Sequence, residues 1–204
     1  MSHLDLFAIP LHRTIIGSPT ESETDHIKGV AMSEGRSTAL NSTNLHILDV
    51  IQLRELRGRM DKGIQEYMTH LGVDMERISM NITTSWVNRY SKGMSTHQHH
   101  HSNSIISGVY YLEDCEDTAP IQFHRAPGYV NLWPNTINLP IKNYNALNID
   151  VITVIPKAGE LIMWPSHLAH SVPPNQSDVD RYTIAFNTFV KGTLDPQGGS
   201  ELTL

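Results

Sequence analysis

The stretch His97–Leu112, "HQHHHSNSIISGVYYL", sets four histidines ahead of a run of β-branched and aromatic residues. The apolar run reads as a buried strand. In an extended chain, residues i and i+2 point the same way, about 6.5–7 Å apart at the backbone. His97 with His99, or His99 with His101, can therefore converge on one ion at bonds of about 2.0–2.1 Å, while His100 points away. The spacing alone does not choose between the two pairs. Two imidazoles hold a metal weakly, so a third ligand is needed from elsewhere in the chain. "MWPSHLAHSVPP" offers His167 and His170. His124, in "QFHRAP", suits a supporting position behind a ligand, whereas His3, His12, His26, His46 and His70 stand alone.

Outward from this stretch the pattern is mostly β. In "RISMNITTSWVNRYSKG" the residues Ile78, Met80, Ile82, Thr84, Trp86 and Asn88 recur at period two and are expected on one face of a half-buried strand. "APIQFHRA", "DVITVI", "GELIMWPS" and "RYTIAFNTFV" are further strand candidates with Gly/Pro punctuation, as in a sandwich or barrel. "LFAIPLHRTII" reads as an early strand interrupted by Pro10, hence an edge, and an edge is suited to pairing with a second copy. Leu53, Leu56, Met60, Ile64, Tyr67 and Leu71 form a stripe on a helix that Gly72 can end. "GSPTESETDHIKG" and "SEGRSTALNST" are loop-like in composition. Arg125–Asp150 is an Asn- and Pro-rich insert without sustained period, and its Tyr129, Trp133 and Tyr144 are candidates for a lid or substrate-contact surface.

The 204 residues suffice for one substantial core, and we expect a single domain over 1–204, with 1–75 as supporting strand and helix and 76–192 as the β core. A net charge of −6 argues against a general nucleic-acid binder. Cys115 is the only cysteine, which fits a reducing compartment, and the apolar runs are too short for a membrane segment. A cytoplasmic protein is expected. Arg181, in "DRYTIAFNTF", begins a strand eleven positions after His170, where a guanidinium beside a metal pocket is a ready fork for a carboxylate.

The ordered set "SWVNR", "HHHSNSIISGVYYL", "GELIMWPSHLAHSVPP" and "RYTIAFNTF" resembles the Fe(II)/2-oxoglutarate-dependent oxygenases. It is most similar to the oxygenases of phage and bacterial genomes that carry H-x-H-x-N-S-x-x-S-G-V-x-Y. "GVYYLED" and "RYTIAFNTF" also resemble strands of prolyl hydroxylases. The resemblance implies an all-β core with a flanking helix, folded as a double-stranded β-helix (jelly roll, cupin-like). It selects His99 and His101 over His97 and His170 over His167 as metal ligands. It also implies Arg181 and Tyr111 on the far carboxylate of 2-oxoglutarate, with Val109, Val172 and Asn187 as pocket residues. The implied cofactors are Fe(II), 2-oxoglutarate as cosubstrate and O2. The implied activity is hydroxylation of a small molecule or peptide with release of succinate and CO2.

One departure is visible. The superfamily's usual ligand set is two histidines and one carboxylate, and His101 stands at the carboxylate position. Two rival readings stay open. One is a cupin-like His3 metal dioxygenase that needs no 2-oxoglutarate; the other is a non-enzymatic metal-binding jelly roll.

Overall fold

The protein is described by a computed structural model over residues 8–35, 37–115, 120–125, 139–195 and 198–204. In chain order its elements are β1 (His12–Ile15), α1 (Glu21–Gly29), β2 (Met32–Glu34), β3 (Leu40–Ser42), α2 (Arg54–His70), β4 (Ile78–Tyr90), β5 (Thr96–His99), β6 (Ile106–Tyr111), β7 (Ile121–His124), β8 (Val151–Val154), β9 (Glu160–Pro165), β10 (His170–Val172), β11 (Arg181–Leu194) and β12 (Leu202–Thr203). They form two antiparallel sheets. The large one runs β1-β9-β6-β11-β4-β3-β2, with β12 paired to the end of β11; the small one runs β5-β10-β7-β8. No helix among the described residues is long and apolar enough to cross a membrane.

The helix-facing side of the large sheet follows from the periodicity. Tyr110, Leu161, Met163, Ile184 and Phe186 are buried there against Leu56, Met60, Ile64 and Tyr67 of α2. Each of these four α2 side chains is fully buried, and burial of this kind stabilises by about 1.5–3 kcal/mol per large apolar side chain. Gly108 lies opposite Phe186, and a Cβ at Gly108 would come within 2.4 Å of that ring. The glycine of "ISGVYY" is therefore where the aromatic ring crosses the backbone. The opposite face of the large sheet turns Tyr111, Ile162 and Trp164 toward Ile121, Phe123 and Leu168, closing the space between the sheets.

Four expectations change on contact with the structure. "TESE" is not loop: Thr20 and Glu23 exchange hydrogen bonds as a capping box that opens α1, satisfying two amide donors otherwise orphaned at a helix start. "SEGRSTALNST" contains the β2–β3 hairpin. Leu71 falls just past α2 and is 38% exposed, while Gly72 ends the helix at φ 77°. Finally, the strand β4 does not keep one face. Asn187 pairs with Thr84 but Thr188 pairs with Ile82, so Thr83 is an extra residue, a β-bulge. Met80 and Ile82 pack on the helix side with Val87, whereas Trp86, Asn88 and Tyr90 turn to the space between the sheets. "LFAIPLHRTII" begins its strand only after Pro10, and β1 does form a sheet edge. Leu6 and Phe7 of that stretch, and Tyr129 and Trp133 of the insert, lie outside the described residues, while Tyr144 is 70% exposed.

Candidate metal centre

His99 ends β5 and lies directly opposite His170, the first residue of β10. His101 lies two residues past the end of β5, its backbone N–H donating to Ser166 O at 3.0 Å. One nitrogen from each of the three rings lies within 4.8 Å of the others, the scale of a single cation's coordination shell. Ring centroids are 4.3 Å apart for His99–His170 and 5.1 Å for both His99–His101 and His101–His170. His97, His100 and His167 are exposed and outside this group. His124 donates to or accepts from Ser171 Oγ through Nε2 at 2.7 Å and is not part of it either.

Hydrogen bonds choose the free nitrogen on two of the rings. His99 Nδ1 donates to His97 O at 2.9 Å, and His170 Nδ1 donates to Leu168 O at 3.0 Å. Each bond fixes the Nδ1–H tautomer and leaves the Nε2 lone pair for a ligand. Burial disfavours the charged imidazolium in all three: His99 is held below the usual histidine range, His101 is lowered to about 4 and His170 to about 3, with the neighbouring imidazoles adding to the effect. The cluster is neutral at physiological pH, as metal ligation requires. The carboxylates nearest in sequence are occupied elsewhere, Glu113 by Lys28 and Asp114 by the backbone N–H of Ala158.

Arg181 is 2% exposed. Its guanidinium lies 4.3 Å from the Tyr90 ring and 5.9 Å from the Tyr111 ring, a cage of two π faces. Tyr111 is buried, and this burial pushes its phenol well above the usual range, so it stays protonated. Strand register orders the rest of this wall. Thr183 sits opposite Tyr111 and Asn88, Ala185 opposite Val109 and Trp86, and Asn187 opposite Ser107 and Thr84. Val109 packs with the cluster between the sheets, and Val172 is buried beside Tyr90. The Asn187 amide is engaged on both sides: Oδ1 accepts from Ser107 Oγ at 2.8 Å, and Nδ2 donates to Thr84 Oγ1 at 3.3 Å.

Sequence reasoning overlooked Tyr90, Trp86 and Trp164. The bulge at Thr83 hid the first two, because it decides which face they occupy. Trp164 packs edge-on against His170 at 4.8 Å and against Phe123 at 5.1 Å. Its place in "GELIMWPSHLAH", six residues before the third histidine and on the same side as Ile162, was legible.

A family model described as "Putative 2OG-Fe(II) oxygenase" matches residues 84–187, about half of the chain and the whole span from Thr84 to Asn187 that builds this wall. No curated protein matches the sequence. Among solved structures, HygX from Streptomyces hygroscopicus with nickel and 2-oxoglutarate bound superposes with a TM-score of 0.62 at 9% identity, covering 88% of this chain and 82% of that one. A Pseudomonas putida prolyl-4-hydroxylase gives 0.54 at 14% identity over 90% and 95%. The epimerase SnoN from nogalamycin biosynthesis gives 0.58 at 13% over 87% and 74%. At such identities the likeness is one of fold, the double-stranded β-helix. The family match, rather than the fold, separates the chain from a cosubstrate-independent dioxygenase and from a non-enzymatic jelly roll. The chain belongs to the 2-oxoglutarate- and Fe(II)-dependent oxygenases, enzymes that use non-haem iron, 2-oxoglutarate and O2.

Proposed function

We propose that His99, His101 and His170 hold Fe(II), that Arg181 and Tyr111 hold the far carboxylate of 2-oxoglutarate, and that the enzyme hydroxylates a C–H bond of its substrate with release of succinate and CO2. The observation that carries this reading is the convergence of three neutral imidazole nitrogens on one side of the space between the sheets, with a buried arginine on the large sheet that faces them. The donor set fits the metal: nitrogen ligands suit first-row dications, and three of them leave positions open. A further fit is Trp164 Nε1, buried beside His170 with no hydrogen-bond partner among the described residues. Leaving such a donor unpaired costs about 1–3 kcal/mol.

When bound, the iron supplies the redox chemistry by which 2-oxoglutarate and O2 become succinate and CO2 while the remaining oxygen atom enters the substrate C–H bond. The chain binds, orients and excludes water. Arg181 presents a planar, permanently charged fork that matches a carboxylate in two hydrogen bonds. Its burial makes that pairing stronger than it would be in water. Tyr111, kept protonated by burial, adds an O–H donor. Trp164 and Phe123 cover the back of His170 with apolar surface. With imidazole at position 101 instead of a carboxylate, the site carries one negative charge fewer around the metal.

Anaerobic addition of Fe(II) and 2-oxoglutarate should produce a visible charge-transfer band, and admission of O2 should yield succinate, assayed across a panel of small molecules and peptides. Arg181→Leu should raise the 2-oxoglutarate concentration needed by about thirtyfold or more, the effect of about 2 kcal/mol for removing one member of a buried charge pair. A colourless protein that makes no succinate, or an Arg181→Leu variant with an unchanged 2-oxoglutarate requirement, would refute this assignment.

A further inference from the structure

The three imidazoles are not held alike. His99 and His170 each tie Nδ1 to a backbone carbonyl two residues earlier. Among the described residues, no carbonyl receives a ring N–H of His101. Its ring is located by contact instead: it stacks on His170 at 5.1 Å with the planes 28° apart, meets His99 edge-on at 5.1 Å and is tilted against Trp86 at 5.9 Å. This matters more for an imidazole than for the carboxylate it replaces. A carboxylate offers two oxygens and about four lone-pair directions, whereas a neutral imidazole offers one lone pair in the plane of its ring. A third histidine ligand therefore needs its ring rotation set, and Trp86 is the ring from outside the triad placed against it.

Trp86 is itself fixed. Its indole Nε1–H donates to Asn88 Oδ1 at 2.9 Å, and the same oxygen accepts from Asn41 Nδ2 of β3 at 2.7 Å. The Asn88 amide nitrogen, buried, donates across to Thr183 Oγ1 of β11 at 3.3 Å. Two donors on Oδ1 and one acceptor at Nδ2 leave the amide a single orientation. Asn88 thus spans three strands of the large sheet and ends on the indole that borders His101.

We propose that Asn88 is a positioning residue for the metal centre: through Trp86 it orients the His101 imidazole, taking over for this ligand what a backbone carbonyl does for the other two. The inference rests on the triad assignment above. It requires that the effect travel through the indole N–H, so loss of Asn88 and loss of that N–H should be the same event.

The test uses Co(II) as the probe, titrated into the metal-free full chain. It is followed by the affinity and by the visible Co(II) spectrum, with the metal-free melting temperature measured alongside. Asn88→Leu should weaken Co(II) about tenfold, the lower end of the range for residues supporting a ligand, and should change the Co(II) spectrum. Trp86→Phe, which keeps a ring but removes the N–H, should do the same and serves if Asn88→Leu does not fold. The double variant should be no worse than either single one, and Asn88→Asp, which keeps the oxygen acceptor for Trp86, should recover most of the affinity. Wild-type affinity and spectrum in Asn88→Leu or Trp86→Phe, or effects that add in the double variant, would overturn the inference. His101→Ala separates the two levels. If His101→Ala loses Co(II) while Asn88→Leu binds normally, only the positioning role fails; if His101→Ala binds Co(II) like the wild type, the triad assignment fails and this inference with it.

Discussion

The two sheets are built to opposite specifications. The large sheet has strands of up to 14 residues, one face sealed by α2, and apolar residues at almost every helix-facing position. The small sheet has four strands of three or four residues each. It carries His99, His170 and Phe123 in a row across its inner face, and its outer face bears Gln98, Gln122 and Thr153. Long paired strands with a buried back bear most of the folding free energy. Short strands can host His99 and His170, with His101 just past β5, and the proximity of three neutral imidazoles without a cation contributes nothing to stability. What the difference teaches is a division of labour: the large sheet fixes the positions of Arg181, Tyr111 and Trp86, and the small sheet brings the proposed ligands His99 and His170 to face them.

The sharpest way to break that division is to delete a ligand from the small sheet. His170→Ala should abolish Fe(II)-dependent succinate formation, and its charge-transfer band should be lost. The melting temperature of the metal-free protein should stay within a few degrees of the wild type, because the side chain removed is a desolvated polar group without a buried polar partner beyond Leu168 O. A variant that loses activity only because it unfolds would show that the small sheet is part of the stability core after all.

The converse substitution lies on the other side of β11. Phe186 is 1% exposed, packed over Gly108 and into the α2 cluster. Phe186→Ala should destabilise by about 3–5 kcal/mol, read by denaturant unfolding. The folded fraction should bind Co(II) with wild-type affinity, since Phe186 and the histidines lie on opposite faces of the large sheet. A metal affinity that falls in step with stability would mean the sheets are not independent.

The same contrast explains what the sequence disclosed. The α2 stripe, the strands of the core and the i, i+2 histidines are local patterns, so Leu56 to Tyr67, the strand Ile106–Tyr111 and the pair His99/His101 were readable from neighbours along the chain. His170 could be named because a second histidine group ended a strand candidate, although choosing it over His167 needed the resemblance to the oxygenases. The bulge at Thr83 could not be read. It exists because Asn187 and Thr188, more than a hundred residues away, pair with Thr84 and Ile82, and no local feature of "NITTSWVNRY" announces it. That one extra residue moves Trp86 and Asn88 from the face expected for Ile78, Met80 and Ile82 onto the wall of the site, and Tyr90 with them. The α1 helix was a different kind of miss: its capping box is plainly written in "TESE", but a polar composition outweighed the signal.

The smallest effect expected is also the one that probes the helix-backed half most cleanly. His12, on β1, stacks on Tyr67 of α2 at 5.1 Å and 19°, and its Nε2 is buried without a hydrogen-bond partner among the described residues. Burial lowers its pKa, with His70 acting in the same direction and Glu66 opposing. A base whose folded pKa lies below its unfolded value binds its proton more readily when unfolded. Stability is therefore fully present above the unfolded value of about 6.5 and declines as pH falls below it toward the folded value. His12→Gln should remove this contribution, so the drop in melting temperature between pH 7.5 and pH 5.5 should be smaller in the variant than in the wild type. Because the metal-centre histidines are also held below their usual range, both proteins retain an acid-dependent loss from the small sheet, and only the difference between them reports on β1. Identical drops would show that the His12–Tyr67 stack accommodates the imidazolium, and that acid sensitivity in this molecule belongs to the metal-bearing sheet alone.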